Sequence, residues 1–462
     1  MSRRHARRPR KLPTEPILAE IRDLAHDGRG VGQVIGIVGD EAADTSQTTL
    51  AGKTVFVHGA LPGERVQARL IARNRQFDEA VVTQVLTASP DRITPQCAWY
   101  EQCGGCALQH MGHGAQVHWK HKRLVDNLER IGQVSPKRWA EPIVGEAWGY
   151  RRRARLSVRN VPGKGRVLVG FRERQGRFVA DIGHCEVLDG VFSHRLESLS
   201  ELIGQLSIPS AIPQIEVAVG DVGAALILRH LEPLDSDDLM ELKRWSDANE
   251  IAIYLQSKGP DTVTRLIPEH HEMAYQVTQD KLRLSFGPQQ FIQVNASVNE
   301  RLIARALDWL DVSPDDRVLD LFCGLGNFTL PLAKRAGQVI GVEGAADLVE
   351  SARANARAND IENAEFFVAD LSESPEGQPW LSQPFDGVLI DPPRSGAEEV
   401  LSVIAHSQAR RVVYVSCNPA TLARDAGLLV NTYEFELVEA GIADMFPHTA
   451  HVESIASFER AR

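Results

Sequence analysis

The sequence predicts a doubly wound α/β domain in the C-terminal part, behind a small N-terminal β-barrel and a central α+β module that carries a four-cysteine site. Three observations predict it. From Arg317 onward, short β-branched runs alternate with helix-like segments; between residues 15 and 88, short β-like runs are broken by glycine-bearing turns; and Cys97, Cys103 and Cys106 cluster, with Cys185 far downstream. The alternation implies a parallel sheet covered on both faces, with ligands at the carboxyl ends of its strands. The expected division is a basic tail at 1–12, the barrel at 13–90, the central module at 91–285 and the wound domain at 286–462.

A chain of 462 residues exceeds one compact core, and a hydrophobic content of 43% is ordinary for a globular protein. No apolar run is long enough to span a bilayer, so no membrane partner is expected. "MSRRHARRPRK" is basic but no apolar stretch follows it, which excludes a secretory signal and points to the cytoplasm. Net charge is −10, unevenly placed: residues 1–160 carry +9 and the remainder −19. That asymmetry points to an N-terminal part that meets a polyanion.

In the N-terminal part, Gly28, Gly30 and Gly32 punctuate the first β-like run, and "ALPGERV" is a turn with Pro-Gly at its centre. About five short strands suit a barrel of the kind used for oligonucleotide binding, and "RLIARNRQ" supplies matching charge. Through "DGRGVG" and "PGERV" this stretch resembles a TRAM domain, which implies RNA binding.

"CAWYEQCGGC" follows. Cys103 and Cys106 form a C-x2-C pair able to grip a metal centre, and four thiolates with Cys97 and Cys185 suit either tetrahedral zinc or an iron–sulfur cluster. The spacing leaves that choice open. Residues 116–131 read as a helix ending at Gly132. On "YRRRARLSVR" one strand face would carry Arg151, Arg153 and Arg155, a row suited to phosphate contacts.

In the C-terminal part, Ser297 and Glu300 read as the capping box of a helix that leads into the wound domain. "DLFCGLGNF" is a glycine-rich turn after the first strand, where Gly324 lets a ligand approach the backbone, and Cys323 beside it reads as packing. Glu343 ends the second strand, where a carboxylate can accept from ribose hydroxyls, and Asp370 ends the third, placed to meet an adenine amino group. Neither a dinucleotide fingerprint nor a Walker loop is present, so a nucleoside without pyrophosphate fits, which points to S-adenosylmethionine. Asp391 stands in "DPPRSG", with prolines stiffening the loop. Cys417 lies where the run ending at Val415 gives way to a helix opened by Asn418-Pro419. A helix N-terminus favours thiolate, the attacking form of cysteine. Glu453 sits among apolar neighbours, which raises a carboxylate pKa as a proton acceptor needs.

"FIQVN", "DLFCGLGNF", "GVE", "DPPRSG", "VSCNP" and "MFPHTAHVESI" together resemble the uracil-5-methyltransferase family of RNA over essentially the whole chain. The resemblance implies a Rossmann-like methyltransferase domain in which Cys417 adds to carbon 6 of uracil and Glu453 removes the proton from carbon 5. It also implies that Gln293, Phe322, Asn327, Glu343, Asp370 and Asp391 contact or border S-adenosylmethionine; Gly324 joins them on backbone access alone. Asp391 and Gln293 are expected to orient base and cofactor. The four cysteines, by the same resemblance, hold a [4Fe–4S] cluster. Barrel and cysteines together narrow the expected substrate to 23S ribosomal RNA, with a sister enzyme acting on another uridine in rRNA or tRNA as the alternative. A monomer is expected.

Overall fold

The computed structural model describes residue 12 and residues 14–38, 51–373 and 376–460, so the basic tail lies almost wholly outside the described residues. The chain divides into two compact units: residues 1–100, 105–116 and 448–450 in the first, residues 101–104, 117–447 and 451–462 in the second.

In the first unit, five strands, Ile17–Leu24, Gly30–Ile37, Thr54–His58, Arg65–Arg73 and Phe77–Thr87, close into a barrel. Alternate residues point inward, and Ile17, Ala19, Val34, Val55, Val57, Val66 and Ala68 fill the interior. Gly32 is required where the first two strands cross: a Cβ there would lie 2.0 Å from the Glu20 carbonyl oxygen. The "PGERV" turn is pinned by Glu64, which is buried and accepts hydrogen bonds from the Leu61 and Ser89 amides and the Arg92 guanidinium.

In the second unit a six-stranded sheet runs in the order Val263–Ile267, Ala252–Gln256, Ala224–Arg229, Gln214–Val219, Arg153–Val161, Arg166–Gly170. Of the expected arginine row, Arg153 and Arg155 lie on this sheet and are engaged within the protein, while Arg151 precedes the strand, at an isolated bridge to Leu188. Arg153 donates to the Pro288, Gln289 and Gln290 carbonyls, and Arg155 pairs with Glu216 at 2.9 Å. Those bonds tether the segment just before "FIQVN".

The eight-stranded sheet has the order Ala364–Val368, Gln338–Glu343, Arg317–Leu321, Gly387–Ile390, Arg411–Ser416, Glu453–Arg460, Phe435–Ala443, Arg138–Trp139. Its first five strands are parallel, as the β-α alternation predicts, and Glu453–Arg460 enters antiparallel between two neighbours. Apolar side chains including Leu319, Ile340, Val388, Val412, Tyr414 and Phe458 bury its faces. The helix Ala296–Leu310 is capped by Asn295, whose side chain accepts from the Val298 amide at 3.4 Å. Asn is as good an N-cap as Ser. The predicted Ser297–Glu300 box is therefore not formed, because the helix begins before Ser297 and Glu300 instead accepts from the Thr278 amide at 2.6 Å. The predicted 116–131 helix is an α-helix over His113–Asn127 followed by a wider turn, Leu128–Gly132. Among the described residues no helix is long and apolar enough to cross a membrane.

Candidate active site

The strand Arg411–Ser416 is buried from Val412 on, ends at Ser416, and is followed by Asn418, whose side chain accepts from the Ala420 amide at 3.1 Å, and by Pro419 opening the helix Pro419–Asn431. Cys417 is the residue between. Ser416 pairs with Ser454 across the antiparallel ladder, so Cys417 and Glu453 are the next residues along their two strands. Nucleophile and base candidates, 36 positions apart in sequence, become cross-strand neighbours through sheet register.

Both line a cavity of about 550 Å³ at the carboxyl ends of the parallel strands, within the range of small-molecule sites. Gln293, Phe322, Gly324, Asn327, Glu343 and Asp391 line it too. The glycine-rich turn is conformationally demanding: Phe322 has φ +63°, Gly324 +56° and Gly326 +99°. A non-glycine residue in the left-handed region is uncommon and marks functional turns. Nothing lies within 4 Å of where a Gly324 Cβ would be, so the backbone there faces open space. Glu343 accepts from the amides of Gly324, at 3.1 Å, and Ala345, at 3.0 Å, which holds its carboxylate at the turn. Asn327 is locked by Tyr275 Oη, donating at 2.9 Å, and by a reciprocal amide pair with Asn299 at 3.0 and 3.1 Å. Cys323 is buried, as its packing role requires, although its edge reaches the lining.

Asp370 is not among the lining residues. It is exposed, and its carboxylate accepts from the Ser372 amide at 2.9 Å and hydroxyl at 2.6 Å, which lowers its pKa.

The electrostatics correct one expectation. Burial, and then the negative fields of Glu453 and Asp391, push the Cys417 thiol up to about 11, against the opposing charge and hydrogen bond of Arg394. Desolvation and two carboxyls outweigh the helix N-terminus, which favours the thiol over the expected thiolate. Burial also raises Glu453 well above the carboxylate range, as expected, and lifts Asp391 to about 7. Asp320, fully buried and bonded to Thr329 Oγ1 at 2.5 Å, is lifted to about 8 by burial and by nearby Asp391 and Glu343. A cation bound beside these carboxyls would favour their ionised forms.

Sequence reading assigned no role to Asp320, Tyr275, Arg394 or His451. An aspartate inside the apolar run "RVLDLF" was the available signal for the first. Arg394 and His451 also line the cavity, with Nη2 and Nδ1 3.3 Å apart.

The four-cysteine site is not seen as a formed centre: among the described residues no group of three or more His, Cys, Asp or Glu could hold a metal ion. Cys106 and Cys185 are each 8% exposed, and Cys97 and Cys103 are half-buried.

A wound parallel sheet, a left-handed glycine turn over an acidic strand end and a nucleoside-sized acidic cavity define a methyltransferase of the S-adenosylmethionine-dependent class. The tRNA (Uracil-5-)-methyltransferase family matches residues 220–461 and the TRAM domain matches residues 13–83; the chain belongs to the RNA uracil-5-methyltransferase family. Its relatives include the 23S rRNA (uracil(1939)-C(5))-methyltransferase RlmD of Stenotrophomonas maltophilia strain K279a, 50% identical over 98% of this chain and 100% of that one. RlmD of Alkalilimnicola ehrlichii is 48% identical over 98% of this chain and 99% of its own. Among solved structures, the Pyrococcus abyssi tRNA (uracil-54, C5)-methyltransferase in complex with S-adenosyl-L-homocysteine matches with TM-score 0.70 and 25% identity, covering 96% of this chain and 99% of that one.

Proposed function

We propose that the chain methylates carbon 5 of one uridine in 23S ribosomal RNA, the counterpart of the uridine 1939 named for its relatives, giving 5-methyluridine. The observation that carries this is the meeting of Cys417 and Glu453 in the cavity that the glycine turn and Glu343 also line. Near-full-length identity of about one half to 23S rRNA enzymes favours that RNA over tRNA.

S-adenosylmethionine, when bound, supplies an electrophilic methyl group. The residues present fit it: Glu343 would accept from ribose hydroxyls, the backbone at Gly324 is open, and Phe322, Asn327, Gln293 and Asp391, which line the same cavity, would border it. Cys417 releases its proton to solvent and its sulfur bonds to carbon 6 of the extruded uracil, leaving an enolate with electron density at carbon 5. Once carbon 5 carries the methyl group, the Glu453 carboxylate takes the remaining proton there. The electron pair re-forms the ring double bond and expels the Cys417 thiolate. Arg394 is the cation bonded to that sulfur.

The [4Fe–4S] assignment for Cys97, Cys103, Cys106 and Cys185 is part of the proposal. A donor set made only of thiols and the C-x5-C-x2-C spacing support it, and no step of the reaction runs through it. An absorption spectrum of anaerobically purified protein tests it, with broad visible absorption expected and a colourless zinc protein as the refuting result. The division at residues 91 and 286, a monomeric state and a cytoplasmic site of action are proposed with it.

Incubating the protein with methyl-labelled S-adenosylmethionine and a 23S rRNA transcript, then mapping the labelled nucleotide, tests the function. Label on 5-methyluridine at one position is expected. Label on tRNA alone would favour the sister enzyme, and label on no uracil would overturn the reading.

A further inference from the structure

The loop between Phe171 and Val179, "FRERQGRFV", is a hairpin of the second unit that the active site does not use. Arg172 pairs antiparallel with Val179, Glu173 N donates to the Phe178 carbonyl at 2.9 Å, and Ala180 N donates to that of Phe171 at 2.9 Å. Its outer edge is laddered to residues 101–104, with Gly104 N bonded to the Arg172 carbonyl at 2.8 Å and Arg174 N to that of Gln102 at 2.9 Å. A backbone held on both sides presents its tip in a fixed position. At that tip Phe178 is 62% exposed, with the Arg177 guanidinium 5.8 Å from its ring centroid. Arg172 and Arg177 are exposed, and residues 171–179 hold three arginines against one acid, Glu173.

The hairpin is connected to the cavity through one side chain. Arg151 stands over the Phe171 ring at 6.0 Å, and it is close enough to His451, a lining residue, to help depress that imidazole after burial and Arg394. Arg151 is thus the charged side chain that the hairpin base and His451 have in common.

We propose that this hairpin is a second RNA contact, in which Phe178 stacks on an unpaired base flanking the target uridine while Arg172 and Arg177 hold the adjoining phosphates. An exposed aromatic beside arginines is the chemistry by which unpaired nucleic acid is held: every base has a π-face, and every linkage a charge. The proposal rests on the RNA-methylating function above and adds to it where the strand runs outside the pocket.

The test uses the full chain, Phe178→Ala, an Arg172→Gln/Arg177→Gln double variant, and a fluorescent 23S rRNA fragment spanning the target uridine. Binding is followed by anisotropy across a salt series, beside methylation rates. Phe178→Ala is expected to raise Kd and KM for the RNA about tenfold, with kcat at saturating RNA and S-adenosylmethionine affinity unchanged. The double variant is expected to reduce the slope of log K against log salt by about 2. Unaltered RNA affinity in both variants, with the wild-type protein methylating, overturns the hairpin and leaves the function standing. A wild-type protein that binds RNA but never methylates it overturns the function, while the variants' affinities still decide the hairpin. Weakened binding of a protein partner with RNA affinity intact would also overturn the proposal.

Discussion

The Lys120 ammonium donates to Asp444 Oδ1 at 2.6 Å, with the lysine 1% exposed and the aspartate fully buried, and it also reaches the Phe446 carbonyl at 2.8 Å. The pair ties the helix Val117–Asn127 portion of the second unit to the segment that carries Phe446 into the cavity, and Tyr150 Oη, donating to the Pro447 carbonyl at 3.0 Å, closes the other side. Removing one member of a buried ion pair strands the other charge. Lys120→Ala should therefore cost roughly 3–5 kcal/mol in chemical denaturation, and Lys120→Met with Asp444→Leu should regain a large part of it. A single variant as stable as wild type would show that the pair contributes nothing.

Cys417 alkylation reports its ionisation. With the thiol pushed up to about 11, the reaction with iodoacetamide in the free protein should rise about tenfold per pH unit between pH 8 and 10. Arg394→Ala removes a charge and hydrogen bond that lower this pKa and should slow alkylation at every pH in that range. A rate already flat at pH 8 would mean a thiolate at rest.

Substitution of Cys417 and Glu453 separates the roles proposed for them. Cys417→Ala should bind RNA and S-adenosylmethionine and give no methylated product. Glu453→Gln should accumulate a protein–RNA adduct that survives denaturing electrophoresis, since carbon 5 cannot lose its proton and the sulfur stays bonded. Absence of that band would move proton removal to another group.

Asp320 gives a signed dependence of stability on pH. Its folded pKa, about 8, lies above its unfolded value, so the native state binds the extra proton. Stability from this group is full below about pH 4 and is lost as pH rises through 8. Asp320→Asn keeps an acceptor for Thr329 and should flatten the decline in urea melts compared between pH 5 and pH 8.5. An unchanged slope would mean that Asp320 is ionised when folded.

Gly32→Ala should unfold the barrel locally or shift its first two strands, because the new methyl group meets the Glu20 carbonyl oxygen at 2.0 Å. Loss of amide protection in Ile17–Leu24 by hydrogen exchange is the expected sign.

The barrel and wound sheet were legible because each announces itself locally, by glycine-broken alternation in one and by β-branched runs before polar turns in the other. Cys417 was legible for the same reason: Asn418-Pro419 is a local helix start. What sequence could not give was charge in three dimensions. The upward shift of the Cys417 thiol depends on burial and then on Glu453 and Asp391 arriving from other parts of the sheet, and register, not proximity in the chain, brings them. The capping residue was missed because Asn295 and Ser297 are both competent caps, and packing chose the earlier. Arg153 and Arg155 looked free for phosphate because their partners, the 288–290 carbonyls and Glu216, are remote in sequence.

Glu453–Arg460 is the latest-translated of the eight strands, yet it is inserted between Arg411–Ser416 and Phe435–Ala443 rather than added at an edge. A nascent chain that has emerged only as far as Ala450 already holds Cys417 but lacks Glu453 and the strand that closes the sheet beside it. Closure of the sheet beside Cys417 thus waits for the last of its eight strands to be made.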